Sequence, residues 1–319
     1  MGLFNFSKTI GIDPGSYYLR LVCEGEIIFN EPSVVSVVPE SGEVSGHGFN
    51  ALENTRHETI WPVNRVIGDF HAFENLLRHG VNKGLNETSW LTPAHSMYFS
   101  IPVNVTEVEK RAYRDSGLHA GAREVYMTWQ PVSAAIGLGV LQRKKDFVIV
   151  DISASKTEVT VFSNSWLVCE GGIPFGTCKL WRMLRNFIFR NFGLRASDKE
   201  LDEIIASLGQ PVSSPGFYVQ KSVIKQEQLS PVWDIFYKVV EDKVLEIIEQ
   251  ATDCCDMDKV AANGMYFTGG GALVSGLCKQ LALSVDMDYA ISNEPLNDNI
   301  KGIGEIMKNF EQYKKYLFT

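Results

Sequence analysis

Long apolar runs are missing from this sequence. No stretch approaches the ~18 apolar residues of a membrane-crossing helix, and no basic segment followed by an apolar one marks a secretory signal. The chain is therefore expected in the cytosol. Basic charge is also scarce: 30 Lys and Arg stand against 38 Asp and Glu, a net charge of −8. That balance argues against a nucleic-acid surface, which needs a basic footprint to hold phosphates. Cysteine is sparse and keeps no C-x-x-C metal spacing. Cys23, Cys169, Cys178 and Cys278 stand singly in apolar contexts, and Cys254 and Cys255 are adjacent, so reduced, mostly buried thiols are expected. One local absence matters more. In DFVIVDISASKTEVTVF (146–162) a tight turn follows a buried-looking strand that ends in Asp151, yet Ser153, Ala154 and Ser155 stand where a phosphate-cradling turn would want glycine.

What is present is ordinary globular material: 319 residues, 45% hydrophobic and 21% charged, enough for two domains with cores. KTIGID, YYLRLVCEGEIIF and SVVSVV read as short strands parted by Asp-Pro-Gly, Glu-Gly and Asn-Glu-Pro turns. Phe70, Phe73, Leu76 and Leu77 recur at helical spacing over 69–82. MYFSI (97–101) and VYMTW are strands. Residues 106–121 form a helix opened by Thr106 and closed by Gly117 or Gly121, and 131–141 a helix with Pro131 in its first turn. The second half repeats the plan. Strands FVIVDIS, TEVTVF and SWLVCEGGI precede helices through KLWRMLRNFIFRNF, 197–209 and 230–250, with a Pro/Ser/Gly-rich loop at GQPVSSPG, and GMYFTGGGALVSGL supplies strand, glycine turn and helix. A duplicated α/β plan with a cleft separating its halves follows. Outside it lie the apolar start MGLFNFSK and a polar loop carrying Trp90-Leu91. Phe6 occupies the place where myristoylation wants Ser or Thr, so the start either tucks against the body or dips into a bilayer interface.

Three turns are candidates for one ligand. GIDPGSYY (11–18) puts Asp13 at a strand end, followed by Gly15 and Ser16, whose N–H groups could form an anion-binding nest; Asp-Pro-Gly-Ser is also a good β-turn. VDISASK (150–156) is the second. TGGGALVSG (268–276) is the most specific, since three glycines before a helix let backbone approach a flat or anionic ligand.

In this order GID-x-G-S, NEPSVV, TEVEKRAYRDSGLHAGAREVY, P-V-S-A-A-I-G-x-G, VDI…TEV and TGGGAL resemble the MreB family, the bacterial actins of rod-shape determination, over nearly the whole chain. GIDPGS also resembles the start of RuvC-type resolvases, which are far shorter, lack TGGGAL and bind DNA. The MreB resemblance implies an actin-like (ribonuclease H-like), duplicated two-lobed ATPase fold with an interlobe nucleotide cleft. Its first lobe core would take residues 1–32, 64–145 and 302–319, with a small subdomain at 33–63. The second lobe core would take 146–196 and 245–301, with a shortened small subdomain at 197–244. ATP and Mg2+ are the implied cofactors. Asp13 and Asp151 would face the metal through water. Gly15, Ser16, Tyr17 and Tyr18, together with Ser153, Ala154, Ser155 and Lys156, would line the phosphates; Gly269, Gly270, Gly271 and Ala272 would approach the adenosine.

Departures from the family pattern bear on activity. The second loop of the family reads Asp-Ile-Gly-Gly-Gly-Thr-Thr-Glu-Val, so each side chain at 153–155 crowds the phosphate and makes positive φ costly. Lys156 replaces a threonine that assists hydrolysis and could add positive charge near phosphate. Gln130 stands for a water-positioning glutamate. Cys178, Trp181 and Arg182 occupy acidic positions, and Lys199 and Asp202 match an adenosine-contacting Glu-x-x-Lys with the charges exchanged. The resemblance also implies a homo-polymer on the inner face of the cytoplasmic membrane, peripheral to it. Leu3, Phe4, Phe6, Trp90 and Leu91 would be the insertion points, and other actin-like or envelope-synthesis proteins further partners. Two functions stay open: a membrane-associated filament that organises cell shape and envelope growth and binds ATP with weak or lost hydrolysis, and a nucleotide-independent scaffold. A sugar-kinase-like phosphotransferase lacks a recognisable base beside a second substrate pocket.

Overall fold

Two runs of uninterrupted burial set the architecture. Strand β1 (Thr9–Pro14) is buried from its second residue onward, and FVIVDI at 147–152 is buried throughout, as expected of strands covered on both faces. The computed structural model describes residues 7–86, 94–209 and 216–319. Leu3, Phe4, Phe6, Trp90 and Leu91 lie outside them. Chain contacts divide the protein into Met1–Leu141 with Asn297–Thr319, and Gln142–Leu296.

In the first unit, β1 is followed by β2 (Tyr18–Cys23) and β3 (Glu26–Pro32). A three-stranded sheet of β4 (Val35–Val37), β5 (Val44–His47) and β6 (Glu58–Ile60) carries the short helix α1 (Gly48–Glu53), and β7 (Val63–Asn64) pairs with β8 (Val66–Ile67). Helix α2 (Phe70–Leu85) starts on an Asp69 cap and runs three residues past its expected end, to a left-handed Asn86. It leads to β9 (His95–Ile101), α3 (Glu107–His119), β10 (Ala122–Trp129) and α4 (Gln130–Gly137). The sheet order is β10-β9-β1-β2-β3, with β1 parallel to β9 and antiparallel to β2. A capping box joins Thr106 and Glu109 at the start of α3. Its end belongs to Gly121, at φ +102, while Gly117 lies inside the helix, where an added Cβ would sit 2.9 Å from Val125. Helix α4 is shorter than the expected 131–141, because the chain turns away through Gly139 at φ +67. The helix Asp298–Lys308 crosses α4 so closely that a Cβ on Gly302 would meet Ser133 O at 1.8 Å.

The second unit repeats the plan: β11 (Phe147–Ile152), β12 (Thr157–Ser163), β13 (Trp166–Ile173), α5 (Thr177–Phe192), α6 (Asp198–Ser207), the hairpin β14 (Phe217–Val219) and β15 (Ser222–Ile224), and the 26-residue α7 (Gln226–Ala251). Then follow α8 (Met257–Ala261), β16 (Met265–Thr268), a 3-10 turn at Gly270–Leu273, α9 (Leu277–Ser284) and β17 (Tyr289–Ile291). Its sheet order, β13-β12-β11-β16-β17, is that of the first sheet read from the other side. β11 is again parallel to one neighbour and antiparallel to the other. Each unit has its own core, around Ile12, Phe73 and Phe99 in the first and Val150, Leu184 and Phe236 in the second. Ligand sites in such sheets lie beyond the carboxyl ends of the strands. Asp13, Asp151, Gln130 and Gly269 all stand at such ends.

Candidate functional site

The first hairpin is held from below. Ser33, from NEPSVV, donates its hydroxyl to Gly15 O at 2.6 Å and its N–H to Tyr17 O at 3.0 Å. Gly15 must be glycine, because a Cβ would lie 2.6 Å from Tyr18 O. Neither Gly15 nor Ser16 takes a positive φ, so this turn is built without a left-handed step. Tyr17 stacks on Trp61 at 5.4 Å and meets Tyr18 edge-on at 5.3 Å. Buried Asp13 sits across the ladder from Arg20, with Nη1 to Oδ2 at 3.5 Å. Gln130, the buried first residue of α4, lends its carbonyl to Ser133 Oγ at 2.9 Å; that hydroxyl also meets Ser100 Oγ and Asn299 Oδ1.

The second hairpin closes on itself. Ser153 donates both its N–H and its hydroxyl to Lys156 O, at 2.9 and 3.1 Å. No residue of 153–156 has a positive φ. The strain expected from losing the glycines is therefore not incurred: the turn is built in a handedness that side chains accept. The carbonyls of Ser153 and Ala154 accept the N–H groups of Thr177 and Cys178, each at 3.0 Å. Two of the donors that a helix start leaves open are thus used by the turn. Gly176 makes this approach possible, since a Cβ there would lie 2.3 Å from Ser153 O. Lys156 departs from expectation too. Its ammonium lies 2.7 Å from Glu158 Oε2, with the two side chains only 8% and 13% exposed, so its charge is neutralised within the hairpin. Thr157 hydroxyl is committed to Phe175 O at 2.7 Å.

The glycine turn packs onto the end of β11. Gly269 has φ +77, and a Cβ on it would lie 2.4 Å from Asp151 Oδ1; a Cβ on Gly271 would lie 2.2 Å from Ile152 Cγ2. Gly270 differs: its Cβ would meet nothing closer than Leu296 at 3.6 Å. The fold demands glycine at 269 and 271 and not at 270. The three glycines open onto a 3-10 turn containing Ala272, and α9 begins only at Leu277, so the expected direct helix start is displaced.

Asp151, Ser153–Lys156 and Gly269–Ala272 are thus brought together. Helix α6 reaches the same neighbourhood by its last turn, where Ala206 O accepts the Ser275 N–H at 3.3 Å. Lys199 and Asp202, on its first turns, are exposed, and Lys199 lies 4.0 Å from Glu203. The residue fixing this helix is Glu200, which closes a capping box with Ser197 and accepts the Gln220 N–H at 2.9 Å. Those backbone donors hold its carboxyl below the usual range. Burial pushes the Cys178 thiol up, so it carries no thiolate charge in place of the expected acid. Sequence reasoning missed Arg20, Ser33, Glu158 and Gly176. Arg20 and Glu158 follow once each hairpin's register is counted outward from its turn. Ser33 lies inside a motif already singled out. Gly176 carries no local signal.

The model of the family described as MreB/Mbl protein matches residues 7–315. The chain belongs to that family. The cell shape-determining protein MreB of Escherichia coli (strain K12) is 26% identical, over 98% of this chain and 97% of its own length. MreB 5 of Spiroplasma citri, solved bound to AMPPNP, superposes with a TM-score of 0.83 at 19% identity, covering 97% of this chain and 98% of that one. A MamK double helical filament does so at 0.75 and 15%, covering 95% and 99%. The fold is thus the actin-like α/β fold of MreB proteins. Within it, β1 and β11 each carry an aspartate next to their last residue, Asp13 and Asp151, and a glycine turn follows β16, in which Gly270 alone has room for a side chain.

Proposed function

We propose that this chain is an actin-like cytoskeletal subunit that forms membrane-associated filaments organising cell shape and envelope growth, and that it binds ATP with hydrolysis weak or lost. The observation that carries this reading is a contrast within the second unit: Gly270 keeps an open backbone face that the fold does not require, while Ser153–Lys156 is bonded internally and its lysine neutralised by Glu158. The named relatives support the two halves of the reading, one solved with a nucleotide analogue and one as a filament.

Asp13 and Asp151 would hold Mg2+ through water. Gly15, Ser16, Tyr17 and Tyr18, with Ser153, Ala154, Ser155 and Lys156, would face phosphates; Gly269–Ala272, Lys199 and Asp202 would face the adenosine. Gln130 would position water. Mg-ATP itself supplies a charged triphosphate whose repulsion the metal offsets. Leu3, Phe4, Phe6, Trp90 and Leu91 would enter the bilayer on its cytoplasmic side, since no described helix is long and apolar enough to cross it. Weak anchors repeated along a homo-polymer bind firmly through avidity.

A nucleotide-independent scaffold that joins other filament or envelope proteins is the second reading. It is favoured by the Arg20 partner of Asp13 and by the use of the Thr177 and Cys178 N–H groups within the fold. Thermal melts separate the two. A ligand bound only by the folded state raises Tm, so Mg-ATP at millimolar concentration is expected to stabilise the chain. An unchanged Tm, with filaments forming without nucleotide, would leave the scaffold.

A further inference from the structure

Three thiols of the second unit converge on one helix end. Cys169 Sγ lies 3.8 Å from Ile247 O, Cys254 Sγ 3.7 Å from Gln250 O and Cys255 Sγ 3.5 Å from Ala251 O, all carbonyls of the closing turns of α7. Cys169 arrives from β13, far away in sequence. The thiol neighbours of Cys169 are Cys254 and Cys255, and Cys255 turns to Met257 Sδ at 3.8 Å, which leaves Cys254 as its partner. Cys254 is exposed and Cys169 partly buried. The described residues hold no group of three ligands arranged for a metal ion, which leaves thiol chemistry. Pairing of Cys254 with Cys255 is disfavoured, because neighbouring Cα atoms lie only ~3.8 Å apart and disulfides want about 4.4–6.8 Å.

We propose that Cys169 and Cys254 are a redox pair that closes to a disulfide when the protein meets an oxidised low-molecular-weight disulfide. The exposed Cys254, as thiolate, attacks one sulfur of the small disulfide. That S–S bond breaks, one small thiolate leaves and takes up a proton, and a mixed disulfide remains on Cys254. The Cys169 thiolate then attacks the Cys254 sulfur and expels the second small thiol. Two protein thiols give up two electrons and two protons, and the small disulfide becomes two thiols. Burial, the neighbouring Cys254 and Cys255 and the Glu170 carboxylate hold the Cys169 thiol above its ordinary range. The second step is therefore the slow one and quickens as pH rises. Because β13 is an edge strand packed against α7, the bond would clasp that edge to the turn after the helix.

The test is peptide mapping of the full chain under non-reducing conditions after treatment with oxidised glutathione at pH 8. The expected result is a linked Cys169–Cys254 peptide and two thiols lost per chain. A Tm rise of several degrees should accompany the link and vanish with a reductant. Cys255→Ser should keep the link and Cys254→Ser should abolish it. A stable glutathione adduct on Cys254 with Cys169 still free, or chains cross-linked to one another, would overturn the proposal.

Discussion

Asp13 and Asp151 hold the same register position in two sheets of one strand order, yet the residues opposite them differ in sign. Arg20 stands across from Asp13, and Glu158 across from Asp151. In the first hairpin the opposed pair is itself an ion pair. In the second, two acids are opposed, an arrangement that is destabilising between strands, and Lys156 supplies the cation that relieves it. A lysine that the resemblance presents as a lost catalytic threonine is, in the folded chain, a structural counter-ion. The same duplicated frame thus carries two ways of managing a buried carboxylate. The units differ in titratable chemistry as well: all six histidines lie in the first, and five of the six cysteines in the second.

The largest expected effect breaks the second hairpin. Lys156→Met leaves Glu158 largely buried without its cation and should lower stability by roughly 3 kcal/mol, as for one partner removed from a buried pair. Adding Glu158→Leu should restore it to within about 1 kcal/mol. Chemical denaturation of the single and double variants checks both, and a single variant as stable as the parent would contradict the pairing.

Next comes a comparison inside the glycine turn. Gly269→Ala must place a Cβ at positive φ against Asp151 and Ile152, so a loss of about 2–3 kcal/mol is expected. Gly270→Ala should stay within about 0.5 kcal/mol of the parent yet weaken binding of Mg-ATP, measured by the ATP-induced shift in Tm. A Gly270→Ala variant with an undiminished shift would remove that glycine from the nucleotide site.

The smallest effect separates the units by pH. His47 and His79 stack at 4.3 Å beside Glu31 and Lys83. Burial, with His79 adding to it, lowers His47 to about 4 from an ordinary value near 6.5, and burial lowers His79 as well. A histidine lowered in the fold contributes stability fully above its unfolded pKa and loses it as pH falls through the folded one. The first unit should therefore weaken between about pH 6.5 and 4, and His47→Phe should flatten that part of the profile. Hydrogen exchange resolved by unit is the measurement, with amides of 147–152 expected to respond less than those of 9–14.

Much of this fold was legible because its signals are local. Thr106 with Glu109 and Ser197 with Glu200 announce helix starts as capping boxes, and FVIVDI announces a strand buried on both faces. The contacts that decide the candidate site were less legible, since they come from register and from approaches across the chain. Asp13 and Asp151 are visible as strand-end acids, whereas their different partners emerge only when each hairpin is folded at its turn. The loss of glycine at 153–155 looked costly because a turn of the family kind was assumed. The observed turn uses ordinary φ values and meets α5 through its carbonyls instead. Gly176 is illegible for the same reason: its need for a bare Cα arises from Ser153, 23 positions away along the chain, whose carbonyl would meet its Cβ at 2.3 Å.

The central claim, nucleotide binding uncoupled from rapid hydrolysis, is tested most directly by following assembly and phosphate release together in one sample of the full chain with Mg-ATP. Filaments are expected to form and the melting temperature to rise while phosphate appears far more slowly than polymer. Phosphate released in step with assembly would contradict it, as would assembly wholly indifferent to ATP.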